Sequence, residues 1–271
     1  MSTSKRTIFI TGCSAGSIGH ALALTFHARG HRVFATARTL DSMQELHEKG
    51  IETFKLDVCK TDEIQLVKAK VAELTGGSLD LLVHSAGVFN QTPFSDLTMQ
   101  RIRAEMDVNF FSVAEITLAF LPLLLESTDA RVLLLGSVAA YFPTPFYSIY
   151  NASKAAMAQL GNTLRVELAP FNIKVIQTLT GPVKTNILKE EKLPPGSLYT
   201  PVKHSYERSN PDVFGKAAIP VDGFAEQLAT EVLKKNPRYV IWNGANAMVW
   251  RMLATMSHAT GWIGSCRIRL V

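Results

Sequence analysis

The sequence predicts an α/β fold: a doubly wound parallel sheet of about seven strands flanked by helices. Two observations carry that expectation. Seven short apolar runs recur along the chain, and stretches with apolar residues at helical spacing lie between them. The runs are apolar at nearly every position, as strands are when helices cover both faces. No internal repeat and no clear linker interrupts the alternation, so residues 1–271 read as one domain.

The elements follow in order. "TIFIT" (7–11) is a β-branched run, and Ile18, Ala21, Leu22, Thr25 and Phe26 then mark a helix over 17–29. "HRVFATA" (31–37) is the second strand, 42–49 a short helix, "IETFKLDV" (51–58) a strand and 61–75 a helix. "LDLLVHSAG" (79–87) is a strand running into a turn. A long helical stretch covers 97–126, "ARVLLLGS" (130–137) is a strand, 150–169 a helix and "IKVIQTL" (173–179) a strand. The alternation breaks over 189–220, which is rich in Pro, Gly and charge. A loop of this length in a compact domain is usually functional, and a substrate lid near 186–220 is expected. A helix near 221–235 and the strand "RYVIW" (238–242) resume the pattern.

Composition narrows the function classes. Hydrophobic residues make up 47% and charged residues 19% of the 271, enough for a sizeable core. A net charge of +5 suits anionic ligands mildly, but no run of five Lys/Arg suggests a nucleic-acid partner. Cys13, Cys59 and Cys266 are far apart and form no C-x-x-C pair. They read as reduced thiols of a reducing compartment, not as a disulfide framework or a metal site. "MSTSKRTIFITG" runs straight into the first strand and leaves no room for a signal peptide. No run of eighteen uninterrupted apolar residues suggests a membrane span. The expected location is cytoplasmic.

Two clusters carry chemistry. In "FITGCSAGSIGHAL" (9–22), Gly12, Gly16 and Gly19 lie between a strand and a helix start. Glycines let the backbone approach a phosphate, and a helix N-terminus offers free N–H groups to it. The spacing G-x-x-x-G-x-x-G differs from the common dinucleotide fingerprint, and the same glycines would also serve a tight turn without ligand. At the end of the second strand, Ala37 fills the slot where an acid would bind an NAD ribose, and Arg38 follows. A guanidinium pairs well with a 2′-phosphate, so NADP(H) is the expected cofactor. Asp41 reads better as a cap of the next helix than as a ribose anchor.

"SIYNASKAAM" (148–157) sets Tyr150 and Lys154 four apart, on one helix face. A nearby ammonium favours the phenolate, so the pair is expected to lower the Tyr150 pKa and to move a proton to or from a carbonyl oxygen. Tyr199 and Lys203 repeat the spacing, but Pro201 and the irregular context align no helix there. Ser137 ends the preceding strand, where ligands bind in open α/β sheets. Its hydroxyl can meet the substrate oxygen or simply cap a turn.

Together these residues resemble the classical short-chain dehydrogenase/reductase family over about residues 6–185. "TGCSAGSIG" is similar to the family's T-G-x-x-x-G-x-G loop with one residue added, with Ser14 and Ile18 lining the phosphate path beside the glycines. The resemblance implies a Rossmann-type sheet and a catalytic tetrad of Asn109, Ser137, Tyr150 and Lys154. In this tetrad Lys154 also orients the ribose, and Asn109 acts through a helix kink. It implies that Asp57 meets the adenine, that Ala86 and Gly87 make backbone contacts to the cofactor, and that Val183 and Thr185 of "TGPVKT" hold the carboxamide. His84 and Ser85 stand where the family has asparagines, and His84 reads as structural. Thr180 stands where the family has a proline.

"GSVAAYFPTPFYSIYNASKAAM" and "LPPGSLY" resemble the acyl-dihydroxyacetone-phosphate reductase-like subgroup known mostly from fungi. That subgroup includes lipid enzymes of endoplasmic reticulum and lipid-droplet surfaces and relatives recruited to natural-product pathways. It implies a homodimer or homotetramer acting on a small carbonyl substrate. Tyr141, Phe142, Phe146 and Tyr147 are expected to wall that substrate or to pack beneath the lid. Lys184, Lys189 and Lys192 would meet a phosphate or face solvent. The tail 244–271 mixes Trp, Met and Leu with Arg251, Arg267 and Arg269, and would meet a membrane surface or a hydrophobic interface. The leading expectation is NADPH-dependent carbonyl reduction of a hydrophobic substrate, for which the subgroup's precedent implies a place in fungal natural-product biosynthesis. Acyl-dihydroxyacetone-phosphate reduction, non-redox isomerase, dehydratase or cyclase chemistry, and a non-catalytic NADP(H) sensor are its rivals.

Overall fold

The computed structural model describes residues 5–187, 191–208, 217–249 and 251–252. Its strands are β1 (Thr7–Ile10), β2 (Arg32–Ala37), β3 (Glu52–Lys55), β4 (Leu81–His84), β5 (Arg131–Ser137), β6 (Lys174–Thr180) and β7 (Val240–Asn243). All pair in parallel in the order β3-β2-β1-β4-β5-β6-β7, which is a doubly wound sheet reversing between β1 and β4. Its helices are α1 (Ile18–Ala28), α2 (Gln44–Glu48), α3 (Thr61–Thr75), α4 (Met99–Met106), α5 (Ser112–Leu125), α6 (Ser148–Glu167), α7 (Lys203–Arg208) and α8 (Val221–Val232).

Successive strand residues feed opposite cores, because side chains alternate across a sheet. Ile8, Ile10, Val33 and Leu81 pack with Leu22 and Phe26 of α1 and Phe224 and Leu228 of α8. Phe9, Phe34, Leu82 and Val132 pack on the other face with Ile64 of α3, Phe120 of α5 and Met157 of α6. Met99–Leu125 is one helical run of 27 residues, long and apolar enough by length and composition to cross a membrane. It lies instead against the sheet, with Val113, Ile116, Phe120 and Leu124 in the core.

The structure changes several sequence expectations. The expected helix 97–126 is interrupted by a π-turn at Asp107–Phe111, where Ser112 N–H bonds the Asp107 carbonyl. The strand expected over 51–58 contracts to four residues at the sheet edge. Asp41 does not cap α2: it opens a 3₁₀ turn and makes no capping bond. The 189–220 stretch is not wholly irregular, since it holds a 3₁₀ turn at Thr200–Val202 and then α7. Lys189, Cys266, Arg267 and Arg269 lie outside the described residues.

Opposite the strand C-termini, a charge cluster ties three strands and a helix. Asp129 accepts from Arg131 and Lys174, each at 2.7 Å, and from Arg6. Arg131 is fully buried, and its guanidinium also donates to the carbonyls of Val232 and of Lys234 (2.9 Å) at the end of α8. Burial alone would raise the Asp129 pKa, but hydrogen bonds from Arg131, Lys174 and Arg6 outweigh it and hold the carboxyl well below its usual range. A depressed folded pKa means stability that is present above the unfolded value of about 3.9 and is lost as pH falls below it. Asp129→Asn, which leaves Arg131 buried without its counter-charge, is expected to cost about 2 kcal/mol at neutral pH, with the difference vanishing toward acid. Urea midpoints of both proteins across pH check this, and an equal deficit at every pH would refute it.

Candidate active site

The site is built on the C-terminal ends of β1, β2, β4, β5 and β6. After β1 the chain turns through Gly12 at φ 74°, and a Cβ there would lie 2.6 Å from the Ala86 Cα. Only glycine allows the loop to pass so close to the turn after β4. Gly19 permits a second close approach, since a Cβ on it would lie 2.6 Å from the Gly12 carbonyl. Ser17 caps α1 by accepting from His20 N–H at 3.0 Å, and donates to the Gly12 carbonyl at 2.8 Å. Thr11 Oγ1 accepts from Ser85 and Ala86 N–H, both at 3.1 Å, which fixes the neighbouring turn.

The result is a concave glycine loop leading into a helix N-terminus, a shape that fits a pyrophosphate. Ile18 lines the cavity beyond it, while Ser14 is exposed and bonds Ser42 at 3.2 Å. Gly16 faces Asn186, whose side chain donates to the Ala15 carbonyl at 3.1 Å. Ala37 is buried at the end of β2, and Arg38 beyond it is exposed with no hydrogen-bond or ion-pair partner among the described residues. Asp57 follows β3 and accepts from Cys59 N–H at 3.1 Å.

Asn109, Ser137, Tyr150 and Lys154 converge beside Gly87. Asn109 lies in the π-turn and is buried. Its carboxamide accepts from Val88 N–H and donates to the Val88 carbonyl, both at 2.9 Å, and it donates to Ser153 at 3.1 Å. Lys154 is buried, and Nζ donates to the Leu135 carbonyl at 3.1 Å. The ammonium lies 5.7 Å from the Tyr150 ring centre. Ser137 Oγ accepts from Ala139 N–H and shares a hydrogen bond with the Tyr150 hydroxyl.

The expected lowering of the Tyr150 pKa is not what the site produces. Burial, the dominant effect, pushes the phenol up to about 12. The Ser137 hydrogen bond opposes it, and the negative charge of Glu105 adds to it. Burial brings Lys154 down to about 8, against the pull of Glu105. Burial in apolar surroundings sets the direction of both shifts. Tyr150 is therefore a loaded proton donor at neutral pH, and Lys154 a cation. Burial likewise pushes His84 down to about 3, and its ring bonds Thr117 at 2.9 Å, a structural histidine.

A cavity of about 200 Å³ opens above these groups. Phe89, Phe142, Tyr147, Pro182, Val183 and Ile187 give it an apolar wall, with Ser137, Tyr150 and Lys154 as its polar floor. Thr185 also lines it, while Val183 pairs with Ile219. Of the four expected wall residues, only Phe142 and Tyr147 line this cavity. Phe146 packs on Tyr199 and Tyr206 of the lid, at ring distances of 5.3 and 5.2 Å, and Tyr141 stacks toward Trp242. Lys184 and Lys192 are exposed and do not line it. The lid is pinned by residues the sequence did not single out. Glu191 accepts from Arg101 (2.8 Å) and Thr92 (3.0 Å), Ser197 donates to Asp96 (2.6 Å), and the Tyr206 hydroxyl donates to the Gln91 carbonyl (2.8 Å). Ser17, Thr11 and Phe89 were also missed, although "S-x-x-H" before an apolar run is a readable helix cap.

The short chain dehydrogenase profile matches residues 6–195. The chain belongs to the short-chain dehydrogenase family. That family is one of oxidoreductases. Among curated relatives, a short-chain dehydrogenase/reductase of Pestalotiopsis microspora is 35% identical over 95% of this chain and 91% of its own. The NADPH-dependent 1-acyldihydroxyacetone phosphate reductase of Schizosaccharomyces pombe is 35% identical over 96% and 89%. Among solved structures, a short-chain dehydrogenase from Streptomyces avermitilis superposes with a TM-score of 0.83 at 26% identity, over 97% of this chain and 98% of that one. One from Burkholderia cenocepacia in complex with NADP gives 0.73 at 22%, over 96% and 95%, a likeness of fold.

Gly12→Ala is expected to destabilise the dehydrogenase by about 2 kcal/mol, because both the positive φ and the contact with Ala86 penalise a Cβ. Equilibrium denaturation measures it, and an unchanged midpoint would remove the close-approach argument.

Proposed function

We propose that this dehydrogenase is an NADPH-dependent reductase of a ketone or aldehyde on a hydrophobic substrate. The observation that carries the reading is Tyr150, hydrogen-bonded to Ser137 and near the buried Lys154, at the floor of an apolar cavity beside the glycine loop. The Schizosaccharomyces relative, named for its NADPH dependence, and the NADP-bound Burkholderia structure support the cofactor.

The residues present fit that cofactor. Gly12, Ser14, Gly16, Ile18 and Gly19 would hold the pyrophosphate, Arg38 the 2′-phosphate and Asp57 the adenine. Ala86, Gly87 and Asn109 would flank the ribose, Lys154 would bind its hydroxyls, and Val183 and Thr185 would hold the carboxamide. When bound, NADPH supplies the hydride. The protein supplies the rest. Ser137 and Tyr150 both donate hydrogen bonds to the carbonyl oxygen, fixing it and polarising it. Tyr150 then gives that oxygen its proton, and the Lys154 ammonium stabilises the phenolate left behind. Asn109 keeps Val88 and Ser153 in place around the pair. Reprotonation of Tyr150 from solvent completes the cycle.

The 35% identity to the acyldihydroxyacetone phosphate reductase favours a second reading, in which the substrate carries a long acyl chain and a phosphate. Among the described residues the cavity wall offers no cation beyond Lys154, which favours the unphosphorylated class. The proposed setting is the cytoplasm, as a homodimer or homotetramer. A peripheral contact with endoplasmic reticulum or lipid-droplet surfaces is supported by the exposed Met248, Val249 and Met252 that begin the C-terminal tail.

Initial rates of NADPH oxidation against a carbonyl panel test the reaction: an acyldihydroxyacetone phosphate, aromatic aldehydes, polyketide-like ketones and a keto-steroid. The expected outcome is turnover of unphosphorylated hydrophobic carbonyls, reduced at least about 100-fold in Tyr150→Phe. Preferred turnover of the phosphate would select the second reading. No NADPH oxidation with any member would favour non-redox chemistry. For the cofactor, Arg38→Asp is expected to cut kcat/KM for NADPH roughly 10- to 100-fold while NADH improves, since a charged hydrogen-bond pair is lost. Equal use of both cofactors by the wild type would sink this assignment.

A further inference from the structure

Glu105 is a carboxylic acid with no part in the reading above. It lies on α4, which packs on α6, and only 2% of it is exposed. Oε2 accepts from Asn90 Nδ2 at 3.0 Å, and Oε1 accepts no hydrogen bond among the described residues. Burying a carboxyl oxygen without a partner is costly, so a bland structural role would be better filled by an apolar side chain. The position matters. Glu105 is one helical turn before Asn109, so both project toward the segment that leaves β4. Asn109 holds Val88, Glu105 holds Asn90, and between them Phe89 sets its ring edge-on to Tyr150 at 4.9 Å and to Tyr147 at 4.7 Å.

The charged and titratable groups facing Glu105 are Tyr150 and Lys154 on α6, Arg101 on its own helix and Glu191 on the lid. Its carboxyl is held above the ordinary range first by burial and further by Glu191, while the Asn90 side-chain hydrogen bond and Arg101 oppose that rise. Its charge acts on both members of the pair in the same direction, favouring the protonated form of Tyr150 and of Lys154.

We propose that Glu105 is a positioning residue for the catalytic pair: its buried carboxylate fixes Asn90, and with it the ring that stands edge-on to Tyr150, and it places a negative charge behind the phenol and the ammonium. The inference rests on the NADPH-dependent reading for one of its two readouts, and the other is independent of cofactor and substrate.

Glu105→Gln retains the shape and the acceptor for Asn90 but removes the charge. The first readout is NADPH affinity against pH, by cofactor fluorescence. The wild type is expected to weaken as pH rises through about 8, where Lys154 loses its proton. In Glu105→Gln that limb moves to lower pH, so the two proteins match near pH 6 and the variant binds about three- to tenfold more weakly at pH 8. Glu105→Asp, which restores the charge, moves it back. The second readout is Tyr150 phenolate absorbance, taken as each protein minus its Tyr150→Phe counterpart, at a fixed alkaline pH at which the fold persists. The Gln variant is expected to show about three- to tenfold more phenolate. Asn90→Ala removes the hydrogen bond and keeps the charge, so kcat falls while the pH limb stays. A folded Glu105→Gln with superimposable phenolate and affinity profiles overturns the inference, as does an unchanged kcat in Asn90→Ala. A protein that binds no NADPH but shows the phenolate change overturns the cofactor reading alone.

Discussion

The Asn109 carboxamide is the joint on which this site depends. Val88 leaves the end of β4, where its N–H and C=O no longer have a strand to pair with, and buried backbone groups need partners. Asn109 satisfies both, and reaches Ser153 on α6 with the same side chain. One amide thus ties the sheet, the α4–α5 helix and the helix that carries Tyr150 and Lys154. The π-turn makes this possible. An α-helix advances about 100° per residue, so a turn with an extra residue changes which side chains face β4 and α6. Asn109 faces the site while Val113, Ile116 and Phe120 still face the core.

Dryness sets the chemistry more than charge pairing does. In water a phenol and an ammonium lose their protons at similar pH. Here burial drives them apart in the order opposite to the usual expectation, Lys154 to about 8 and Tyr150 to about 12. The phenol therefore stays loaded across the whole range in which Lys154 is charged. Such a pair is poised to give a proton, which suits reduction.

What the sequence made legible follows from what local patterns encode. The strands were readable because a parallel strand is apolar throughout, and the glycine loop because only glycine tolerates its φ and its approach to Ala86. The Tyr150 and Lys154 spacing was readable because helical periodicity is fixed. The kink at Asn109 was implied only by the family resemblance, since "EMDVNFFS" contains neither proline nor glycine to mark a π-turn locally. Glu105 was invisible for the same reason: on the α4 pattern an acid reads as a solvent-facing position. Arg131 reads as a strand-entry residue at the surface, yet the end of α8 and Asp129 bury it completely. The direction of the Tyr150 shift was misjudged because spacing reports the neighbouring charge and not the desolvation around it.

The two ends of the sheet divide the work. At the N-terminal ends, Asp129 pairs with three cations and holds α8 through Arg131, so stability is concentrated where no ligand needs to enter. At the C-terminal ends the same strands release Gly12, Arg38, Ala86, Ser137 and Val183, each positioned by the strand before it and free to meet a ligand. That separation explains how the site can tolerate costly features: a phenol, an ammonium and a carboxylate buried within one cluster. Each would destabilise a domain that relied on those residues for its cohesion. Because β1, β5 and β6 are locked by the apolar core and by the charge cluster beneath, the desolvated groups above them are held in one arrangement, and their chemistry is left for substrate and cofactor to meet.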